Sequence, residues 1–422
     1  MKITILNGNP LKSQFDTYLR KVQGALEQEG HQVINLALRD LPLKYCTGCW
    51  GCWVKTPGVC STDNASQELD RAVINADFVL WAAPLKMGYP SELLKKAMDK
   101  HLPLIHPYME VDQQEAHHLR RYERSPRLGL VVEKEPSTDE ADLRLVTQLC
   151  QRTALNFKTR LFFSLTTETN AAELATRIMD ENASALPLPA RPSPTHGVAV
   201  PAPSSLTLFN GSPRGPHGNS RIFLEQVAKG FGGKYQLHHL VNVKDTEQHV
   251  RAFSAAEAAW VAFPLYTDSM PALVKHFFEA LEPLVSKGGN PPLGFIVQSG
   301  FPEALHSRYV EQYLEKLAAR LGSPYLGTIV KGNGEGVRIM PPQMTRSLFE
   351  NLQSLGACLS RGEALNTEIL TKTARPERFP AISGPVFKMI LRAPFAHGYF
   401  DKMLIKNGVY EKRFDQPFKL PS

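Results

Sequence analysis

The stretch Leu206-Thr207-Leu208-Phe209-Asn210-Gly211-Ser212-Pro213-Arg214, continuing as Gly215-Pro216-His217-Gly218-Asn219-Ser220, decides how the rest of the chain is read. A short apolar run stops at Asn-Gly, a small-residue loop with one arginine follows, and Asn-Ser opens an amphipathic run through Ile222, Phe223 and Val227. This pattern predicts strand, loop and helix start. Such a loop aims backbone N–H groups and the positive end of a helix dipole at one point, which suits a phosphate. Ser212 and Ser220 add hydroxyls, and Arg214 adds a charge-assisted donor.

The chain contains this stretch twice. Lys2 to Pro10 aligns residue for residue with Ser205 to Pro213. Further on, Pro84-Leu85 and Pro264-Leu265 each follow an apolar run, and each proline is followed eleven residues later by a lysine, Lys95 or Lys275, in a helical pattern. Matched landmarks in the same order indicate two copies of one fold. Gly8 to Pro84 spans 76 residues and Gly211 to Pro264 spans 53, the difference corresponding to a cysteine-rich segment present only in the first copy.

Strands alternate with helices in each copy, which predicts a parallel sheet covered on both faces. In the first, strands are expected at Lys2–Leu6, Gln32–Leu36, Phe78–Ala83, Leu128–Val132 and Thr159–Leu165. In the second they are expected at Leu206–Phe209, Tyr235–Leu240, Ala259–Phe263, Leu293–Val297 and Tyr325–Val330. The fold class is α/β, with two doubly wound five-stranded sheets of order 2-1-3-4-5. Residues 1–182 form the first domain and 205–340 the second. Between them, 183–204 holds six prolines and a single arginine, which reads as a semi-extended linker. Residues 341–422 are expected as a helical extension packed on the second domain, its tail from Phe387 to Phe414 mixing aromatics with basic residues.

At 422 residues the chain can bury two cores. No apolar run approaches the roughly 18 residues of a membrane helix, and the N-terminus enters a strand pattern with no signal-peptide layout. The net charge of +7 fits an anionic ligand, while the scatter of the basic residues argues against nucleic acid. His117-His118 and the run Arg120, Arg121, Arg124 are expected as an exposed charged loop; Asp63 and Asp77 as cap and strand-edge residues; Cys150 and Cys358 as core. Four of six cysteines lie between Cys46 and Cys60, more like a metal or redox cluster than a disulfide framework. Together these features predict a cytoplasmic protein.

A doubly wound sheet binds ligands where strand order reverses, at the carboxyl ends of strands one and three. That logic brings Ser212, Arg214, Asn219 and Ser220 next to Pro264, Leu265, Tyr266 and Thr267, with Ser299 and Gly300 as a third wall after Gln298. The residues resemble the flavodoxin-like FMN reductase superfamily, in which Gly-Ser-Pro-Arg followed by Asn-Ser binds the FMN phosphate and a Pro-x-Tyr loop flanks the isoalloxazine. The first copy departs from this pattern: it lacks the arginine and the Asn-Ser pair, and Lys86 stands where the second has Tyr266. There, Asn9, Pro84, Leu85, Met87 and Gly88 mark either a second FMN site or an empty structural copy.

Cys46-x2-Cys49-x2-Cys52-x7-Cys60 is the sharpest local signal. Thiolates at this spacing can reach the corners of a cubane, and the run resembles the cysteine motif of iron–sulfur flavoproteins, which implies a [4Fe–4S] cluster. The alternative is a metal-free loop whose thiols pack near the flavin; zinc, which prefers separated pairs, fits less well. The resemblance implies an FMN-dependent NAD(P)H oxidoreductase passing electrons to a quinone, flavin or redox protein, as a monomeric pseudo-dimer or a homo-oligomer. Alternatives are an electron carrier without its own substrate, and a cofactor-less assembly or regulatory protein. No general acid or base stands out.

Overall fold

A computed structural model describes residues 1–112, 115–285, 287–378 and 394–420. The chain forms two compact units, one of Met1–Pro189 with Pro380–Ser422 and one of Ala190–Phe379.

In the first unit β1 (Lys2–Asn7), α1 (Gln14–Gln28), β2 (Gln32–Ala37), α2 (Gly51–Val54), α3 (Ala65–Ile74), β3 (Phe78–Lys86), β4 (Tyr89–Pro90) and α4 (Glu92–Lys100) lead to a hairpin of β5 (Ile105–Asp112) and β6 (Glu115–Arg120). Then come β7 (Arg127–Glu133), α5 (Glu140–Asn156), β8 (Leu161–Thr166) and α6 (Ala171–Met179). The sheet runs β2-β1-β3-β7-β8, with β4 paired antiparallel to β3. β3 is buried on both faces from Phe78 to Leu85, which is why its sequence is continuously apolar.

The second unit repeats the plan with β9 (Ser205–Asn210), α7 (Asn219–Phe231), β10 (Lys234–His239), α8 (Thr246–Ser254), β11 (Ala259–Pro264), α9 (Ala272–Ala280), β12 (Leu293–Gln298), α10 (Leu305–Arg320) and β13 (Tyr325–Lys331). Two further helices, α11 (Pro342–Ser360) and α12 (Thr367–Ala374), complete it, and Leu352, Leu355 and Leu359 of α11 enter the core formed with α7. The order β10-β9-β11-β12-β13 is again 2-1-3-4-5, so both units are flavodoxin-like.

The duplication extends to atoms. Gly8 donates its N–H to Ala82 O and Gly211 donates to Ala262 O, both at 2.7 Å. Lys95 and Lys275 are each fully buried and pair one helical turn on, with Asp99 and Glu279.

Three expectations change. His117, His118 and Arg120 lie on β6, paired antiparallel with β5, rather than in an exposed loop. His117 is buried against Asn156, and Arg121 is buried with its guanidinium donating to the carbonyls of Pro103, Arg413 and Asp415; Arg124 is exposed as expected. The proline-rich segment is pinned on both sides of a boundary at Pro189/Ala190. Leu186 N–H bonds Leu161 O in the first unit and Val198 N–H bonds Tyr325 O in the second. The C-terminal extension is divided: α11 and α12 stay with the second unit, but residues 394–420, including α13 (Pro394–Lys406), belong to the first. The apolar side chains of this last stretch pack on the cysteine segment. Phe387, Lys388 and Arg392 lie outside the described residues. Cys150 and Cys358 are core residues, and Asp63 accepts the Ala65 N–H at the start of α3.

Removing one partner of a buried ion pair leaves an uncompensated charge, at a cost of about 3–5 kcal/mol. Asp99→Ala is expected to cost that much in a urea denaturation experiment; a loss below about 1 kcal/mol would show that Lys95 does not depend on it.

Candidate functional site

At the carboxyl edge of the second sheet, Asn210 shapes the loop after β9. Its amide nitrogen donates to Gly215 O (2.8 Å) and its Oδ1 accepts the Ser212 N–H (3.1 Å). Gly218 is required here, because a Cβ on it would lie 1.9 Å from Ser212 Oγ. α7 then starts with no side-chain cap. Ser220 Oγ at this helix start is buried and has no hydrogen-bond partner among the described residues. Arg214, about a quarter exposed, forms an ion pair with Glu335 at 2.5 Å.

Glu335 comes from a short turn, Gly334–Arg338, after β13, a stretch whose sequence shows only its glycines Gly332, Gly334 and Gly336. The turn closes one side of the crevice. Gly334 N–H bonds Ser299 O (2.8 Å), the Asn219 amide donates to the carbonyls of Gly334 and Glu335 (3.0 and 2.9 Å), and Arg338 donates to Gly218 O (3.4 Å). Gln298, at the end of β12, has a buried Oε1 with no partner among the described residues.

The second loop doubles back tightly. Tyr266 and Ser269 exchange backbone hydrogen bonds, with Thr267 and Asp268 at φ 43° and 58°. Left-handed backbone at non-glycine residues costs roughly 1–3 kcal/mol each and clusters at functional sites. Behind this loop lies a cluster that nothing local in the sequence marks: His306 sits 3.6 Å from Asp268 and 3.7 Å from Glu303, all fully buried, with Phe301 stacked on the imidazole at 4.1 Å. Gly300 faces open space. The three loops that carry the expected residues all follow the carboxyl ends of β9, β11 and β12, along one sheet edge.

The first unit has the same edge with different chemistry. α1 begins at a capping box: Ser13 Oγ accepts the Phe15 N–H and the Asp16 carboxylate accepts the Ser13 N–H. Asp16 also accepts from Asn7 (2.8 Å), Asn9 (2.7 Å) and Arg39 (2.8 Å). A carboxylate of the chain itself therefore holds the loop ahead of α1. The Ser-x-x-Asp spacing was the available signal. Met87 and Gly88 form the equivalent turn, at φ 51° and 75°, and donate their N–H groups to Glu135 at 3.0 and 2.6 Å. Burial and the nearby Asp16 raise the pKa of Glu133. Pro84 and Leu85 lie near the end of β3, where Pro84 is in register with Glu133 and Leu85 pairs with Pro90.

Among the four clustered cysteines, Cys49 is exposed, Cys46 and Cys60 are half-buried and Cys52 is buried, all as free thiols. Lys100 donates to Cys60 Sγ at 3.6 Å and to Asp63 at 2.9 Å. Burial pushes the Cys46 thiol up to about 12. Burial raises Cys52 well above the ordinary value, with Cys46, Cys60 and Cys49 adding to the shift. Soft thiol donors suit iron. Among the described residues, however, no three potential ligands are already grouped as a metal site.

Residues 1–113 match the NADPH-dependent FMN reductase family, a span holding both the α1 loop and the cysteine segment. An iron–sulfur flavoprotein of Methanocaldococcus jannaschii is 30% identical over 105 residues, covering 25% of this chain and 53% of the relative, so the match spans about half the length of that curated protein. Solved structures similar to this chain include an NADH:FMN oxidoreductase in apo form (16% identity, 41% of this chain and 96% of that one, TM-score 0.31). Another is a putative quinone reductase from Klebsiella pneumoniae (15%, 45% and 89%, TM-score 0.33). A third is a flavodoxin, WrbA-like protein from Agrobacterium tumefaciens (19%, 38% and 96%, TM-score 0.27). No helix of the described residues is long and apolar enough to cross a membrane.

The Asp16 carboxyl is held below its ordinary value of 3.8: burial pushes it up, but the bonds from Ser13 N–H, Asn7, Arg39 and Asn9 outweigh burial. A depressed carboxyl contributes stability above its unfolded pKa, and this is lost as pH falls through the folded value. Asp16→Asn is expected to lower stability at pH 7 and to flatten the acid limb below 3.8. Urea midpoints at pH 7 and pH 3 check this; a wild-type acid limb in the variant would contradict it.

Proposed function

We propose, from a first unit that matches the NADPH-dependent FMN reductase family over residues 1–113, that this chain is an FMN-dependent NAD(P)H oxidoreductase with its flavin in the second unit. The observation that carries the placement is the start of α7: a helix end without a side-chain cap, a buried Ser220 hydroxyl with no partner among the described residues, and Arg214 beside it. Those groups fit a phosphate. α1 does not, because Asp16 already holds its loop and a second anion would be repelled. The family likeness and the open anion slot thus fall on different units, and we read the first as the structural copy.

In this reading Ser212, Arg214, Asn219 and Ser220 hold the FMN phosphate. Pro264, Leu265, Tyr266 and Thr267 lie along one edge of the ring system, and Ser299 and Gly300 along another. FMN supplies the hydride and electron chemistry when bound; the chain binds, orients and screens it from water. The acceptor is a quinone, another flavin or a redox protein. Cys46, Cys49, Cys52 and Cys60 would hold a [4Fe–4S] cluster, a reading supported by donor chemistry and by the name of the curated relative. A cytoplasmic setting fits free thiols.

A second reading is favoured by one observation. Glu335 already neutralises Arg214, and Asp16 and Glu135 already close the first copy, as in a chain that keeps the fold without a cofactor. Anaerobic purification with flavin and iron counted per chain separates the readings, and NAD(P)H oxidation with a quinone separates an enzyme from an electron carrier. Charge-assisted hydrogen bonds contribute about 1.5–3 kcal/mol, so Arg214→Ala is expected to weaken FMN binding at least about tenfold, and unchanged binding would place the flavin elsewhere. An exposed ion pair is worth up to about 1 kcal/mol, so Glu335→Gln is expected to tighten FMN up to about fivefold; weaker binding would mean that Glu335 positions Arg214 rather than competing for it.

A further inference from the structure

The stretch 394–420 follows the whole second unit in sequence, yet it folds into the first unit against the cysteine segment. Leu404 is fully buried in one hydrophobic cluster with Cys52, Trp53 and Val54. Phe400 meets Trp50 and Trp53 edge-on, with ring centroids 5.6 and 5.8 Å apart. The Asn407 amide donates to Val54 O at 2.7 Å, fastening α13 to the end of α2. Gly58, at φ +85°, lets Pro417 close in; a Cβ there would lie 2.7 Å from the proline ring. Arg121 and Asn75 bind backbone carbonyls of Arg413, Asp415 and Phe418. Contact therefore runs from the first turns of α13 almost to the chain end.

We propose that this C-terminal arm is the outer wall over Cys52, and that this thiol and the tryptophans beside it are shielded from solvent only while the arm is docked. Cys52 is 9% exposed with the arm in place and shares its apolar cluster with Leu404 and Phe400 of the arm. Without those two side chains the thiol and both tryptophans face water. The seam is open on its outer side, where a cavity of about 450 Å³ lies between Lys55, Pro57 and Val59 of the cysteine segment and Val409, Lys412 and Gln416 of the arm. The cysteines are synthesised well before their cover, so Cys52 stays accessible to a metal donor or an oxidant until the arm docks. The inference holds whether the thiols carry a cluster or remain free, and it does not depend on the flavin reading.

The test uses the full chain treated with an iron chelator, so that no metal shields the thiols. It follows N-ethylmaleimide labelling of each cysteine by mass spectrometry. In the wild type Cys49 labels first, while Cys52 and Cys150 are slow; Cys150, in the core on α5, reports general unfolding. Phe400→Ala, at the partly exposed rim, and Leu404→Asn, at the buried centre, are each expected to raise Cys52 labelling at least about tenfold with Cys150 unchanged. Should Leu404→Asn unfold the unit, Phe400→Ala carries the test alone. The proposal is overturned if Cys52 stays slow in Phe400→Ala, or if Cys52 and Cys150 rise together in it, since the arm would then be general support rather than a cover.

Discussion

The first N–H groups of a helix that follows a sheet strand have no partner within the helix, and something must accept from them. Both units of this chain face that constraint at the same place, after their first strand, and they meet it differently. In the first, Ser13 Oγ accepts the Phe15 N–H and Asp16 folds back to accept the Ser13 N–H, so the chain caps this helix itself. In the second, no side chain caps the helix, and a hydroxyl and a guanidinium lie beside the opening. That difference separates a closed copy from one suited to an anionic ligand.

The architecture was legible because it depends on local periodicity. The strands predicted from apolar runs match the ten main sheet strands to within about three residues, and the paired landmarks Pro84/Pro264 and Lys95/Lys275 occupy equivalent places. The lysines show why such landmarks are informative: a charge buried in a helix needs a partner one turn away, so the residue and its spacing are fixed together.

What stayed hidden depends on contacts far apart in sequence. Nothing near Arg214 announces Glu335, which arrives 121 positions later on a turn that reads as glycine-rich loop. The buried set of Asp268, Glu303 and His306 is spread over two loops and a helix start. The arm's destination was hidden because aromatic residues that could pack on either unit carry no address. The hairpin stayed hidden because the adjacent pairs His117-His118 and Arg120-Arg121 look solvated until their buried partners are known.

The central claim is that the loop after β9 is an anion site and the loop after β1 is not. Calorimetric titration of the flavin-free chain with FMN and with riboflavin, which lacks the phosphate, tests it most directly. The account predicts one FMN per chain and riboflavin at least about tenfold weaker, since the phosphate would carry the charge-assisted bonds. Equal affinities, or two equivalent FMN sites, would contradict it.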